Sequence, residues 1–403
     1  MFFVLLIHDV VDFDFFPEEQ RFADEVEQWL ARNHDPVVMD PHRENFSQLA
    51  DTPERRAFMK KLAAEGWLGM SWPKEYGGKE IEGVYEFILN EALSKHAAPQ
   101  IGKGVGIIGK TLIRHGSEKL KREFLPKILA AEIEFAVGYS EPQAGSDAAN
   151  MQLKAEKVEG GWKLNGQKMW TTSAHFADWY WVGARTDPDK PKHDGLSLFL
   201  IPMKHPGLEV QSLPTIGKDT TNQVFFKDVF VPDDYLVGKR GRGFQMISEA
   251  LDLERFTMFT LSPIADRTRV LVEWVREARR DDEPLKDDPN VRRLVAQIVT
   301  DTAVAKALST RFVCAAKDGG KPPTVQSSQY KLFTTTLSQR VCKDALDITG
   351  AAGTIMEGQD EAPLRGRFEG AYRATMNETV GGGSSEIQKN IIARRHLGLP
   401  KNF

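Results

Sequence analysis

The stretch "MQLKAEKVEGGWKLNGQKMWTT", residues 151–172, decides the fold. Alternating apolar and polar residues on either side of "EGG" read as two strands joined by a turn. Working outward, "DWYWVGAR" (178–185), "LSLFLIPM" (196–203) and "NQVFFKDVFV" (222–231) read the same way, with the polar loop "TDPDKPKHDG" (186–195) between them. Residues 134–240 are therefore expected to form an antiparallel sheet domain. On both sides the period changes to that of helices. "PEEQRFADEVEQWLARN" (17–33) sets Phe22, Val26, Trp29 and Leu30 at helical spacing behind a proline, and "GSEKLKREFLPKILAAE" (116–132) opens on a capping Ser117. After Gly243 helical periodicity runs to Leu397, interrupted by "RRDDEPLKDDPN" and "AAKDGGKPPT". The expected fold class is α+β, mostly α: a helical domain over residues 12–133, a β-domain over 134–240 and a helical bundle over 241–403.

A chain of 403 residues, 41% apolar and 27% charged, can bury a sizeable core. Its net charge of -4 argues against a nucleic-acid surface, which needs clustered Lys and Arg. No apolar run approaches the ~20 residues of a membrane span, and the opening "MFFVLLIHDV" has neither basic leader nor cleavage site, so no secretion signal is expected. Two cysteines, Cys314 and Cys342, form neither a CxxC pair nor a disulfide framework; core roles and a reducing, cytoplasmic compartment are expected. The histidines have no ligand spacing, so no metal is expected. Small-molecule partners fit best.

One motif misleads. "GVGIIGKT" (104–111) satisfies two phosphate-loop patterns, yet "KHAAPQI" before it carries no strand, and glycine-containing helix packing is the preferred reading. Four other stretches bear on chemistry. "VGYSEPQAGSDAA" (137–149) is a loop of small and hydroxyl residues that suits a ligand and also suits a plain turn. In "NGQKMWTTSAHFADWYW" (165–181), Trp170 with Thr171 and Thr172 is by itself best read as a sheet-core Trp with cross-strand threonines; the alternative is an aromatic plane and hydroxyls against a planar cofactor. In "ISEALDLERFTMFTL" (247–261), Glu254 shares helical spacing with Ile247, Ala250, Met258 and Leu261. A carboxylate on that stripe is desolvated, and either pairs with an Arg of a neighbouring helix, the first-ranked reading, or is functional. Asp252 faces elsewhere and can meet Arg255. In "TVGGGSSEIQKNIIARRHLGLP" (379–400), Ser385 and Gln388 read as a capping box and Gly398 with Pro400 as a stop. The glycines before it serve equally as an interdomain turn or as a ligand loop at a helix N-terminus.

Taken in order, these stretches resemble the acyl-CoA dehydrogenase family, from Phe15 to Leu399. "YSEPQAGSD" is similar to the family's first signature, "NGQKMWTT" to its strand motif, "VFFKDVFVPDDYLVG" to its sheet exit and "GGGSSEIQKNIIAR" to its second signature. The resemblance implies a helical domain, a central β-domain and a C-terminal four-helix bundle. It implies FAD as cofactor, with Tyr139, Ser140, Trp170 and Thr172 at the flavin ring, Ser146 near the CoA and cofactor pyrophosphates, Gly145 and Thr171 among the cofactor-binding residues, and Ser384, Ser385 and Glu386 as a cofactor-binding segment. Ser146, Gly383, Asp252 and Arg255 are implied on the substrate side, and the triple glycine is expected to make room for thioester and flavin.

The implied reaction is α,β-dehydrogenation of an acyl-CoA to the trans-2-enoyl-CoA, a Glu taking the α-proton and flavin N5 the β-hydride. Many members carry that Glu where this chain has Gly382. Isovaleryl- and long-chain-type members carry it in the helix motif that "LDLER" resembles, which makes Glu254 the base. Two motifs depart from the family. "ARRDDEPL" leaves Arg280 without its Phe, and "DITGAAG" has Asp347 for Gln ahead of Gly350. Both belong to the adenosine side of FAD, where a partner subunit shares it. The implied partners are an acyl-CoA substrate, an electron-transferring flavoprotein as acceptor, and further subunits in a homodimer, homotetramer or heteromer. An FAD-sharing or non-catalytic subunit and a flavin oxygenase or oxidase on the same fold are the alternatives.

Overall fold

The structure, a computed structural model, describes residues 15–41, 49–218, 220–258, 260–317 and 324–400. The opening stretch "MFFVLLIHDV" lies outside the described residues. Helices lead: α1 (Pro17–Arg32), α2 (Pro53–Ala64), α3 (Gly83–Lys95), α4 (Lys110–His115) and α5 (Glu118–Leu129). In α1, Val26, Trp29 and Leu30 are buried on the expected stripe, and Trp29 meets Phe58 and Trp67 edge to face. Ser117 caps α5, its hydroxyl accepting from Leu120 N at 3.3 Å. Residues Gly104–Gly109 form a π-helical segment that runs into α4. A Cβ at Gly109 would stand 2.1 Å from the Trp72 ring, so this glycine is required by helix packing, as expected, and not by a phosphate.

The β-domain follows with β1 (Phe135–Gly138), β2 (Lys154–Val158), β3 (Gly161–Lys168), β4 (Trp179–Arg185), β5 (Leu196–Pro202), β6 (Leu208–Pro214), β7 (Thr220–Pro232) and β8 (Leu236–Val237). The sheet order is β6-β7-β3-β2-β4-β5-β8, with β1 also on β4. Most pairings are antiparallel, including the β2–β3 hairpin of the opening quotation. The sheet is nonetheless mixed: β1 pairs with β4 in parallel from Phe135↔Trp179 to Gly138↔Val182, and β2 continues along β4 with Lys154↔Arg185, also parallel. Because β1 and β2 lie along one strand, residues 139–153 must leave the sheet and return to it. β4 and β5 are buried on both faces, which explains their unbroken apolar runs. Trp181, Leu196, Leu198 and Leu200 enter a core shared with the leading helices, while Tyr180, Val182, Phe199 and Ile201 fill the core of the β-domain itself.

The C-terminal part holds α6 (Gly243–Met258), α7 (Ser262–Glu277), the hairpin β9 (Arg279–Arg280) and β10 (Glu283–Pro284), α8 (Pro289–Lys317), α9 (Thr324–Thr349), α10 (Arg367–Thr375) and α11 (Ser385–Arg395). Helix α9 is its centre and packs against α6, α7, α8, α10 and α11. Cys342 is buried in it, as expected, whereas Cys314 in α8 is only half-buried. Among the described residues no helix is long and apolar enough to cross a membrane.

Candidate active site

The excursion 139–153 and the turn after β3 are stitched side by side. Ser140 O accepts from Met169 N at 3.0 Å, and Tyr139 O from Lys168 Nζ at 3.3 Å. Beneath them Lys168 and Glu141, 0% and 2% exposed, form an ion pair of 2.8 Å. Glu141 also accepts from the backbone N–H groups of Gln152 at 2.5 Å and Leu153 at 2.8 Å, so one carboxylate closes the loop. Burial pushes the Lys168 ammonium down to about 8 against the opposing pull of Glu141. Removing one partner of such a pair costs about 3–5 kcal/mol, because a buried charge is left uncompensated. Tyr139 is held by Trp181, whose Nε1 donates to its hydroxyl at 2.8 Å. Gly145 and Ser146 are exposed at the tip, and a Cβ at Gly145 would meet nothing within 4 Å.

Trp170 is not a sheet-core residue. β3 ends at Lys168, and Trp170 follows with φ +61° and 58% exposure, the one exposed Trp of eight. A left-handed backbone at a large non-glycine residue is strained, and a large exposed aromatic on it is a functional signal. Asn222 of β7 holds the strain. Its carbonyl accepts from Thr171 N at 2.9 Å, and its Nδ2 donates to Thr171 O at 2.8 Å and to His175 Nδ1 at 3.0 Å. Thr171 is buried under the turn with its hydroxyl 2.9 Å from that of Tyr180, so it supports the surface rather than lining it; Thr172 is half-buried.

The glycine loop forms a second wall. Gly382 and Gly383 take φ +64° and +89°, and a Cβ at Gly383 would stand 2.8 Å from Gln388 Nε2. The glycines are thus demanded first by backbone conformation. The helix cap is Ser384, not Ser385: its hydroxyl accepts from Ile387 N at 3.4 Å. Gln388 does not complete a capping box, because its amide donates back to the carbonyls of Gly382 and Gly383. Glu386 lies exposed in the first turn, its carboxyl held below the ordinary range by its own backbone N–H and the Ser384 hydroxyl. The two walls are tied together: Arg373 of α10 donates to Ile216 O at 2.6 Å, and Lys218 pairs with Glu357 at 3.0 Å. These contacts dock the β6–β7 hairpin, whose next residues hold the Trp170 turn, onto the helix that leads into the glycine loop.

Position 254 lies in α6, seven and four residues after the buried Ile247 and Ala250. The side chains of Asp252, Glu254 and Arg255 lie outside the described residues. The following junction is fixed to α3: Glu91 accepts from Leu261 N at 2.8 Å and from the Ser262 hydroxyl at 2.6 Å, and Ser94 meets Thr260 at 2.7 Å between hydroxyls. Burial holds the Glu91 carboxyl above its ordinary range. Arg280, Asp347 and Gly350 come together elsewhere. Arg280 donates to Ile348 O, Asp347 is exposed and pairs with Lys343 at 2.6 Å, and Gly350 turns the chain with φ +68°.

Asn222 and the Glu141–Lys168 pair were not among the residues singled out from sequence, and Gln388 was read only as part of a capping box. Lys168 carried a readable signal, a charge at an inward position of a strand beside Trp170. Asn222 had none.

Three regions of the chain match known domains: residues 17–132 the N-terminal domain of acyl-CoA dehydrogenase, 136–229 its middle domain and 241–397 its C-terminal domain. Acyl-CoA dehydrogenase FadE26 of Mycobacterium tuberculosis is 31% identical over 86% of this chain and 88% of its own length. Among solved structures, the Tcur3481-Tcur3483 steroid ACAD superposes with a TM-score of 0.88 at 28% identity, covering 97% of this chain and 100% of that one. The ChsE4-ChsE5 complex from Mycobacterium tuberculosis gives 0.84 at 28% identity, with 96% and 99% coverage.

Proposed function

The chain belongs to the acyl-CoA dehydrogenase family of FAD-binding oxidoreductases, and we propose that it converts an acyl-CoA thioester to the trans-2-enoyl-CoA with Glu254 as the base that removes the α-proton. FAD, when bound, supplies the acceptor for the hydrogen leaving the β-carbon. The residues present fit that cofactor. Trp170 offers an exposed aromatic plane, Tyr139 and Ser140 stand in the adjoining stitched loop, and Gly145 leaves open space at its tip. Ser384 and Ser385 bring the N-terminus of α11, with Glu386 in its first turn.

The observation that carries the reading is the place of α9, which packs against both α6 and α11. The helix bearing Glu254 and the loop bearing Gly382 therefore share one supporting wall. Gly382 has no side chain to act as a base, and Glu254 is the carboxylate at the complementary position. In sequence, position 254 shares helical spacing with Ile247 and Ala250, a stripe on which a carboxylate would be desolvated and made more basic. Asp252 and Arg255 would flank the substrate. Glu254→Gln tests this: the variant should retain flavin while anaerobic bleaching by acyl-CoA slows about 10²–10⁴-fold. Unchanged bleaching would remove Glu254 from the mechanism. The titrated panel spans short, branched, long and steroid-like acyl groups, the last because of the steroid ACAD likeness.

A second reading is favoured by Asp347, an exposed acid beside Arg280. It would disfavour a phosphate there, and the ChsE4-ChsE5 complex shows a heteromer on this fold. In this reading FAD is completed by a different subunit. Electron-transferring flavoprotein is the proposed acceptor in both.

A further inference from the structure

The loop 381–384 is braced from one side. Lys331 of α9, 1% exposed, donates from Nζ to Gly383 O at 2.6 Å and to Glu378 O at 3.3 Å. Gln388, fully buried in α11, donates from Nε2 to Gly383 O at 3.0 Å and to Gly382 O at 3.3 Å. A trans peptide unit carries its C=O and N–H on opposite edges. Carbonyls drawn toward Lys331 and Gln388 therefore turn the N–H groups of Gly383 and Ser384 the other way. Among the described residues neither of these N–H groups, nor that of Gly382, meets an acceptor.

We propose that Lys331 and Gln388 are positioning residues that aim and polarise the N–H groups of this loop at the carbonyl oxygen of the acyl thioester. The inference rests on the acyl-CoA reading above. Two effects act together. The carbonyl bonds lock the otherwise permissive, left-handed backbone of Gly382 and Gly383 into one donor geometry. They also draw electron density through each amide, which strengthens the N–H on its far edge. Loss of the α-proton places negative charge on the thioester oxygen, so donors fixed there act most strongly as the reaction proceeds.

The test compares two CoA ligands on the purified flavoprotein by calorimetry, with the acyl group that bleaches it fastest. One is the 2-enoyl-CoA, which keeps the thioester carbonyl and undergoes no further dehydrogenation; the other is the matching S-alkenyl thioether, which lacks the carbonyl. Wild type should favour the thioester, and Lys331→Met should cut that preference about tenfold, the worth of one charge-assisted hydrogen bond. Lys331→Arg should restore most of it. Gln388→Leu gives an independent second arm should Lys331→Met not accumulate folded. Equal weakening of both ligands would mark a merely structural role and overturn the proposal, as would a wild type without preference, which leaves the acyl-CoA reading standing. Failure of wild type to bind either ligand would remove that reading and the proposal with it.

Discussion

Alanine at position 381 and alanine at position 383 should behave differently, although the residues are two apart in one run of glycine. Gly383 has φ +89°, and a Cβ there would stand 2.8 Å from Gln388 Nε2. Forcing an L-residue into the left-handed region costs about 1–2 kcal/mol. The contact would also displace the Gln388 amide from the carbonyls of Gly382 and Gly383, and each lost hydrogen bond costs about 1 kcal/mol. Gly383→Ala should therefore cost about 3–4 kcal/mol. At Gly381 φ is not positive, and the nearest atoms to a Cβ belong to Asn377 at 3.5–4.0 Å, ordinary contact distances. Gly381→Ala should lie within about 0.5 kcal/mol of wild type, because the lost freedom of the unfolded chain offsets any crowding. Urea midpoints of the two variants provide the comparison, followed by flavin retention after gel filtration. A Gly383→Ala midpoint equal to that of Gly381→Ala would refute the assignment of backbone conformation as the reason for these glycines.

Asn222→Ala removes two bonds made by its side-chain amide to the Trp170 turn, at about 1 kcal/mol each, and should weaken flavin retention at least about tenfold; an unchanged flavin off-rate would sever Asn222 from the site. Glu134, immediately before β1, is faced by Arg56 of α2, Lys103 and Asp178, yet burial outweighs their net effect and raises its carboxyl to about 7. The sign follows from linkage: the folded state holds the proton more tightly than the unfolded chain, so Glu134 contributes stability that is complete below about 4.5 and is lost as pH rises through about 7. Glu134→Gln should flatten that fall, worth up to about 3 kcal/mol, in urea midpoints taken from pH 4.5 to 8. Parallel pH profiles for variant and wild type would show that Glu134 is not the group responsible.

Periodicity served well wherever burial alone decides structure. The stripe of α1, the cap at Ser117 and the β2–β3 hairpin are all plain in the chain, as is the helical fate of "GVGIIGKT", because no strand precedes it. It served less well where pairing is non-local. Nothing in "FAVG" or "KAEKV" states that both strands lie along β4 in parallel, since β1 meets residues more than forty positions away. Trp170 shows the limit most clearly. Its neighbours alternate like a strand, but the strand stops at Lys168, and a tertiary partner, Asn222, turns the backbone left-handed and the indole outward. The resemblance placed Trp170 at a cofactor; the residue pattern alone pointed into the core.

The supports of the site share one chemistry. Lys168 with Glu141, Asn222 and Lys331 are buried polar groups that hold backbone rather than pack against apolar surface. Each interrupts a core position, so each costs solvation that only specific hydrogen bonds recover. That cost explains why the site is fixed in place, and also what α9 does. Lys331 lies near one end of this helix, while Asp347 and Gly350 lie at the other, roughly 24–28 Å away at the usual rise per residue. No compact group can touch the glycine loop and the Arg280 corner at once. A ligand that uses both must be extended along the helix, or the corner must serve a ligand seated on another chain. Because Arg280 is already engaged with Ile348 O and Asp347 with Lys343, the corner is organised before any cofactor arrives. Its altered motif residues therefore weaken the case for a self-sufficient FAD site in one chain, and do not bear on the role proposed for Glu254.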